Sequence, residues 1–160
     1  KKINIKYHLV PSLIIFSFLL RIASVYFVRD TQIDNEWSIL LNNLINYKSF
    51  SFYSFEDQLI PSVYMPPLYP FFLYLIKSIS FLKDNNFLYL VFFIQIVLST
   101  FSVYLFYELN QNFFSNKLSL INSAIFSIFP LNIYVSGQIS SISLQVFLSI
   151  LFLKFLFLII

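Results

Sequence analysis

Long apolar runs constrain this chain more than any other feature of its sequence. The run Phe87–Tyr107 contains no charged residue, and the run Leu9–Val28 contains one, Arg21. A bilayer core is about 30 Å thick, and a helix needs about 20 mostly apolar residues to cross it. Two further runs, Leu118–Val135 and Ile139–Ile160, are close to that length. The sequence therefore predicts an all-α polytopic transmembrane helical bundle with about four spanning helices.

The composition argues against several other classes of protein. Charged residues make up 11% of the chain, whereas a soluble domain carries roughly 25%. The absence of cysteine excludes a disulfide scaffold, and a single glycine, Gly137, excludes a glycine-rich phosphate loop. With no cysteine and one histidine, zinc chemistry is not expected. The lysines are spread along the chain, so no nucleic-acid partner is expected.

A polar stretch separates the first apolar run from the rest of the chain. Residues 29–65 hold five of the seven acids, and we expect residues 29–86 to form one loop with two juxtamembrane helices. Within it, Asn35–Tyr47 carries an apolar stripe with helical spacing. The stripe consists of Trp37, Leu40, Leu41, Leu44 and Tyr47. Such a helix suits the membrane interface, and Asp34 is positioned to cap its N-terminus.

The second helix of the loop is predicted over Pro67–Leu82. As a helix it would be about 24 Å long, which is short for a membrane crossing. From the residues alone it is either a short span or a helix lying in the interface. The orientation of the chain follows from its basic residues, because Lys1, Lys2 and Lys6 precede the first span and Arg29 alone follows it. The N-terminus is then cytoplasmic and the loop extracytoplasmic.

Three motifs, in this order, carry a resemblance to a known family. They are Asp34-Asn35-Glu36-Trp37, Met65-Pro66-Pro67-Leu68-Tyr69-Pro70 and Phe129-Pro130-Leu131-Asn132-Ile133-Tyr134-Val135-Ser136. Together they resemble the N-terminal part of the GT-C membrane glycosyltransferases, in the branch of the protein O-mannosyltransferases and the bacterial lipid A aminoarabinose transferase. Residues 1–160 would then be a single transmembrane module, the N-terminal part of a longer GT-C-type domain.

The resemblance implies an inverting transfer of a sugar from a polyprenyl-phosphate donor. The acceptor would be a lipid, a glycan or a protein on the extracytoplasmic face of a bacterial inner membrane, facing the periplasm or exterior. Asp34 would act as the general base or help to hold a divalent cation, the one cofactor that the family suggests. Glu36 is the second candidate catalytic residue. The chain departs from the family at Ile142, near which many relatives carry an acid.

The resemblance also favours an interfacial position for Pro67–Leu82. If this helix crossed the membrane, three crossings would separate Asp34 from Gln138 and leave them on opposite faces. In the family, the loop after the Pro130 motif returns to the catalytic side, which requires two crossings.

Other interpretations of the same residues remain open. Asp34 suits a purely structural cap worth roughly 1 kcal/mol, and Glu36 suits the helix dipole. A charge in mid-span such as Arg21 costs at least ~2.5 kcal/mol and is expected to face the bundle or reach the interface. The alternative functions are a segment of a transporter or flippase and a degenerate paralogue that acts as a scaffold. A transporter should contain inverted repeats and broken helices, and no repeat is visible in the sequence.

Overall fold

The computed structural model describes residues 6–33, 35–55, 58–61, 65–79 and 84–159. Helices make up most of the described residues, which confirms the predicted all-α helical bundle. Its helices are α1 (Lys6–Val28), α2 (Asn35–Tyr47), α3 (Leu68–Ile79), α4 (Asp84–Asn110), α5 (Asn116–Ile128), α6 (Pro130–Tyr134) and α7 (Ile142–Ile159). A 3₁₀ turn, Val135–Gly137, follows α6, and two short strands, β1 (Ser51–Phe55) and β2 (Gln58–Pro61), lie between α2 and α3.

Among the described residues, three helices are long and apolar enough to cross a membrane, namely α1, α4 and α7. A fourth candidate is the pair formed by α5 and the segment Pro130–Gly137, which is bent by 58°. The predicted span Leu118–Val135 is therefore broken rather than continuous. The break follows from Pro130, because proline disfavours the helical conformation of the residue before it. Phe129 accordingly has extended backbone angles, φ −61° and ψ 119°.

The chain forms two compact units. The first, which we call the bundle unit, consists of residues 1–29 and 92–160. The second, which we call the loop unit, consists of residues 30–91. The loop unit includes the first residues of α4, and the bundle unit includes the rest of that helix.

In the bundle unit, α1 packs against α5, α6 and the 3₁₀ turn. The backbone of the turn lies close to α1 at Gly137, where a Cβ atom would lie 3.4 Å from the Cα atoms of Val25 and Arg29. The neighbouring Gln138 donates a hydrogen bond from Nε2 to the carbonyl of Val28, at 2.6 Å. This bond satisfies one of the carbonyls that a helix leaves free at its C-terminus. The single glycine and the glutamine beside it thus fix the end of α1.

In the loop unit, α2 has the bounds that the sequence predicts and packs against α3 and β1. Of its apolar stripe, Leu40, Leu41 and Leu44 are buried, Trp37 is half-buried, and Tyr47 is exposed. The strands β1 and β2 pair as an antiparallel hairpin that the sequence analysis did not predict. The helix α3 covers Leu68–Ile79 of the predicted helix Pro67–Leu82, and residues 80–82 of that prediction lie outside the described residues. The described part is about 18 Å long.

Candidate functional site

The structure describes only one of the two acids predicted as catalytic residues. Asp34, the candidate base and cap, lies outside the described residues. Glu36 is half-buried in the first turn of α2. Thr31, Gln32 and Ile33, which directly precede Asp34 in the sequence, line an open cleft of the loop unit.

The proline motif at the start of α3 positions this helix against α2. Tyr69 and Pro70 are buried. The ring of Tyr69 meets Trp37 edge-on, with 4.9 Å between centroids, and stacks on Phe72 at 5.7 Å. Burial raises the pKa of Tyr69, and the nearby charge of Asp30 raises it further, so the phenol stays neutral. The Tyr-Pro part of the motif therefore serves packing, and it brings the start of α3 against the start of α2.

The cleft of the loop unit has a volume of about 310 Å³. Four segments enclose it: the residues before α2, one face of α2, part of α3 and part of α4. Its lining residues are Thr31, Gln32, Ile33, Ser38, Leu41, Asn42, Ile45, Lys77, Phe87 and Leu88. Four of these side chains carry hydroxyl or amide groups, which both donate and accept hydrogen bonds. The mixture of apolar wall and a few polar groups is typical of a small-molecule site.

One positive charge lies on the wall of this cleft. The ammonium group of Lys77 is 5.0 Å from the ring centroid of Phe87, a cation–π contact. The contact holds the lysine stem against apolar surface. Together with the hydroxyl and amide groups, the ammonium gives the cleft the chemistry to bind a polyhydroxylated or anionic group. The sequence analysis did not identify Lys77, because the cleft assembles from segments that are far apart in the chain.

A divalent cation does not fit the described residues. Within the part of the chain that the structure describes, no three His, Cys, Asp or Glu side chains come together. Mg²⁺ and Ca²⁺ prefer oxygen ligands, mainly carboxylates. We therefore derive no step through a metal ion.

A second polar cluster lies inside the bundle unit, around Arg21. This residue is the one fully buried charged side chain among those described. Its Nε donates to the hydroxyl of Ser99 at 2.7 Å, and its Nη1 donates to the carbonyl of Ser17 at 3.0 Å and to the Ser17 hydroxyl. Its Nη2 is buried without an acceptor among the described residues. The mid-span charge thus faces the bundle, one of the two positions anticipated for it.

The cluster extends to the end of the segment Pro130–Gly137, which follows the break after α5. In a membrane, the carbonyls at the end of a helical segment must be satisfied by protein. Gln95 of α4 donates to the carbonyls of Val135, at 3.3 Å, and Gln138, at 2.8 Å. Ser99 donates to the carbonyl of Asn132 at 3.5 Å. Side chains of α4 therefore hold the broken segment in place.

Among the described residues, the bundle unit contains one acid, Glu108. It forms an ion pair with Lys154 of α7 and accepts a hydrogen bond from the hydroxyl of Tyr104. The side chains of Glu108 and Lys154 are each 29% exposed. Lys154, a charge inside a long apolar run, therefore joins α7 to α4. Ile142, near which the resemblance leads us to expect an acid, is the first residue of α7.

Comparison with known proteins adds no family to this description. The chain matches no protein-family model, no curated protein and no solved structure.

Proposed function

We propose that this chain is part of an inverting GT-C-type membrane glycosyltransferase that takes its sugar from a polyprenyl phosphate. The observation that carries the proposal is the cleft of the loop unit. The residues before Asp34, one face of α2 and Lys77 of α3 line it together. The order of the elements supports the same function, since the candidate span α1 precedes the acidic motif and α3 begins within the proline motif.

In the proposed reaction, an acceptor hydroxyl attacks the anomeric carbon of the donor. The bond between that carbon and the phosphate oxygen breaks, and the configuration inverts. Asp34 takes the hydroxyl proton as general base. The polyprenyl phosphate leaves with the bonding electrons, and a cation such as Lys77 stabilises its developing charge. Thr31, Gln32, Ser38 and Asn42 supply hydrogen bonds to sugar hydroxyls.

The test is a comparison of Asp34→Asn, Asp34→Ser and Asp34→Ala in the full-length protein. Asn and Ser both cap helices well, but neither can accept the proton as a carboxylate does. Membranes that contain each variant are incubated with a panel of polyprenyl-phosphate hexoses and pentoses. Release of free polyprenyl phosphate is the readout. All three variants should lose ~10²–10⁴-fold in rate, the usual effect of removing a general base.

The activity of the Asn and Ser variants separates this function from a purely structural cap, because both variants keep the fold. In the proposed enzyme, Asn and Ser keep the wild-type melting temperature, and Ala loses about 1 kcal/mol through the missing cap. A structural cap gives the opposite pattern of activity, with Asn and Ser active and Ala impaired. Retention of more than about a third of the rate by Asp34→Asn would contradict a general base.

A transporter or flippase is the second candidate, and the bundle unit favours it. A broken helix and a buried charge are typical of transporter sites, and the bundle unit has both in Arg21 and the 58° bend. In proteoliposomes, a flippase moves a fluorescent polyprenyl phosphate across the bilayer without breaking a bond. Translocation that is lost in Arg21→Met, with no sugar transfer, would favour this function over the enzyme.

A further inference from the structure

A groove lies on the bundle unit where α1 passes the break between α5 and α6. Its volume is about 410 Å³, within the range of about 300–1,000 Å³ that small-molecule sites occupy. Ile128 and Pro130, on either side of the break, contribute to one wall, and side chains of α1 between positions 20 and 28 form the other. That part of α1 is about 12 Å long. The groove therefore suits a narrow, elongated ligand.

A buried hydroxyl on the wall of the groove has no partner. Ser24 lines the groove and is 8% exposed, and its Oγ makes no hydrogen bond to any described residue. A serine inside a helix often donates to the carbonyl four residues earlier, as Ser102 does to Leu98 at 2.8 Å. Because a buried hydroxyl without a partner is costly where water is absent, the Ser24 hydroxyl is suited to a ligand that carries an acceptor.

The depth of Ser24 indicates which acceptor it meets. α1 is long and apolar enough to cross a membrane, and its 23 residues correspond to about 34 Å, slightly more than a bilayer core. Ser24 lies four residues before the end of α1, about 6 Å along the axis. In such a span, this depth is close to the boundary between acyl chains and headgroups. Glycerophospholipids carry their ester carbonyls at that boundary.

The other residues of the groove fit the same ligand. Tyr134 lines the groove and is 49% exposed, and tyrosine is enriched where lipid tails meet water. The described lining residues include no charged side chain, so the groove accommodates the tail of a lipid rather than its headgroup. A polyprenyl phosphate fits less well, because its isoprenoid chain joins the phosphate directly and offers no acceptor to Ser24 at this depth.

We propose that the groove binds a glycerophospholipid. One acyl chain lies between α1 and the residues around the break, and an ester carbonyl of the same lipid accepts a hydrogen bond from the Ser24 Oγ. The headgroup stays outside the groove, in the interface. The site needs no sugar donor and no catalytic residue, so it is independent of the proposed function.

Competition between two lipids tests the hydrogen bond. The full chain, delipidated in detergent, is titrated with equal amounts of diacyl phosphatidylglycerol and its dialkyl ether analogue, which lacks ester carbonyls. Native mass spectrometry counts each bound lipid. The wild type should prefer the diacyl lipid by about 2–10-fold, the effect of one hydrogen bond. Ser24→Ala should lose this preference, whereas Ser102→Ala, whose missing hydroxyl bonds to its own helix, is the matched control and should keep it.

A larger side chain tests the groove itself. Ala23 lines the groove, and Ala23→Trp should fill it and weaken binding of the diacyl lipid by about tenfold or more. Ile22→Trp is the matched control, because Ile22 is 42% exposed and does not line the groove; it should bind as the wild type does. Circular dichroism checks the helix content of each variant. If Ala23→Trp does not fold, the comparison of Ser24→Ala with Ser102→Ala decides.

Several results would overturn the proposed lipid site. They are the absence of bound phospholipid in the wild type, equal binding of the diacyl and dialkyl lipids, and unchanged binding in a folded Ala23→Trp. Undecaprenyl phosphate is the third competitor in the titration. If it displaced the diacyl lipid from the wild type but not from Ala23→Trp, the groove would hold an isoprenoid chain instead.

Discussion

At the scale of single residues, the buried charge of Arg21 needs an explanation. Its guanidinium is buried in a candidate membrane span with hydroxyl and carbonyl partners, and Nη2 has no acceptor among the described residues. Removing a charge from water costs several kcal/mol, and hydrogen bonds without a counter-charge return only part of that. Arginine at this position is therefore costly for stability, which is typical of a residue kept for function.

We expect Arg21→Met to leave the bundle unit as stable as before, or more stable by up to about 4 kcal/mol. Methionine fills similar space, and the hydroxyls of Ser17 and Ser99 can turn to carbonyls of their own helices. Thermal unfolding in detergent, followed by circular dichroism, measures the change.

Lys154→Met is the matched control for Arg21→Met. It removes the partner of Glu108 and leaves the carboxylate behind, so it should lower stability by about 1 kcal/mol. A loss of more than about 2 kcal/mol in Arg21→Met would mean that the hydrogen bonds of the guanidinium outweigh its desolvation.

At the scale of elements, Gln95 of α4 contacts the end of the segment that follows the break between α5 and α6. Gln95→Leu keeps the size of the side chain and leaves the carbonyls of Val135 and Gln138 without this donor. We expect a loss of about 1–3 kcal/mol in the free energy of unfolding.

Gln145→Leu is the matched control, because Gln145 is exposed and its side chain bonds to Ser141 of its own segment. It should change stability by less than about 0.5 kcal/mol. Equal effects of the two variants would contradict the role of Gln95.

Elements that follow from local spacing were predictable from the sequence. The stripe of α2 sets its bounds at Asn35–Tyr47, as the structure confirms. The hairpin of β1 and β2 was not predictable, because the sequence between its strands lacks the Asn-Gly or Asp-Gly pair that identifies such a turn. The sequence analysis did not predict the break at Phe129, because the hydropathy of a segment does not register a bend. Pro130 was the residue from which the break could have been predicted.

The candidate site was predictable only in part. The sequence predicts a site at the segment around Asp34, since an acid before an amphipathic helix is a local pattern. The cleft was not predictable, because Ser38, Lys77 and Phe87 reach it from three helices. The contact of Gln95 with Val135 was likewise invisible, since it joins residues 40 positions apart. Such contacts depend on tertiary packing rather than on local propensity.

At the scale of the whole molecule, the orientation in the membrane is a prediction from the basic residues. We expect single cysteines at Asn46 and Asn112, which are both exposed, to lie on opposite sides of the membrane. In intact cells, an impermeant maleimide should label Asn46→Cys and leave Asn112→Cys unlabelled until the cells are opened. The expectation rests on the lysines before α1, because basic residues are enriched on the cytoplasmic side. The reverse labelling pattern would contradict the predicted orientation.

The 58° bend described above also has a consequence for the lipid bilayer itself. As one span, with α5 upright, α5 and the segment after it cover only about 26 Å along the membrane normal. That is less than the core of about 30 Å, whereas α4, with 27 residues, is about 40 Å long. Lipids adapt to a short segment by thinning and to a long one by letting it tilt. The bilayer should therefore be uneven around the bundle unit, with shorter acyl chains gathering beside α5.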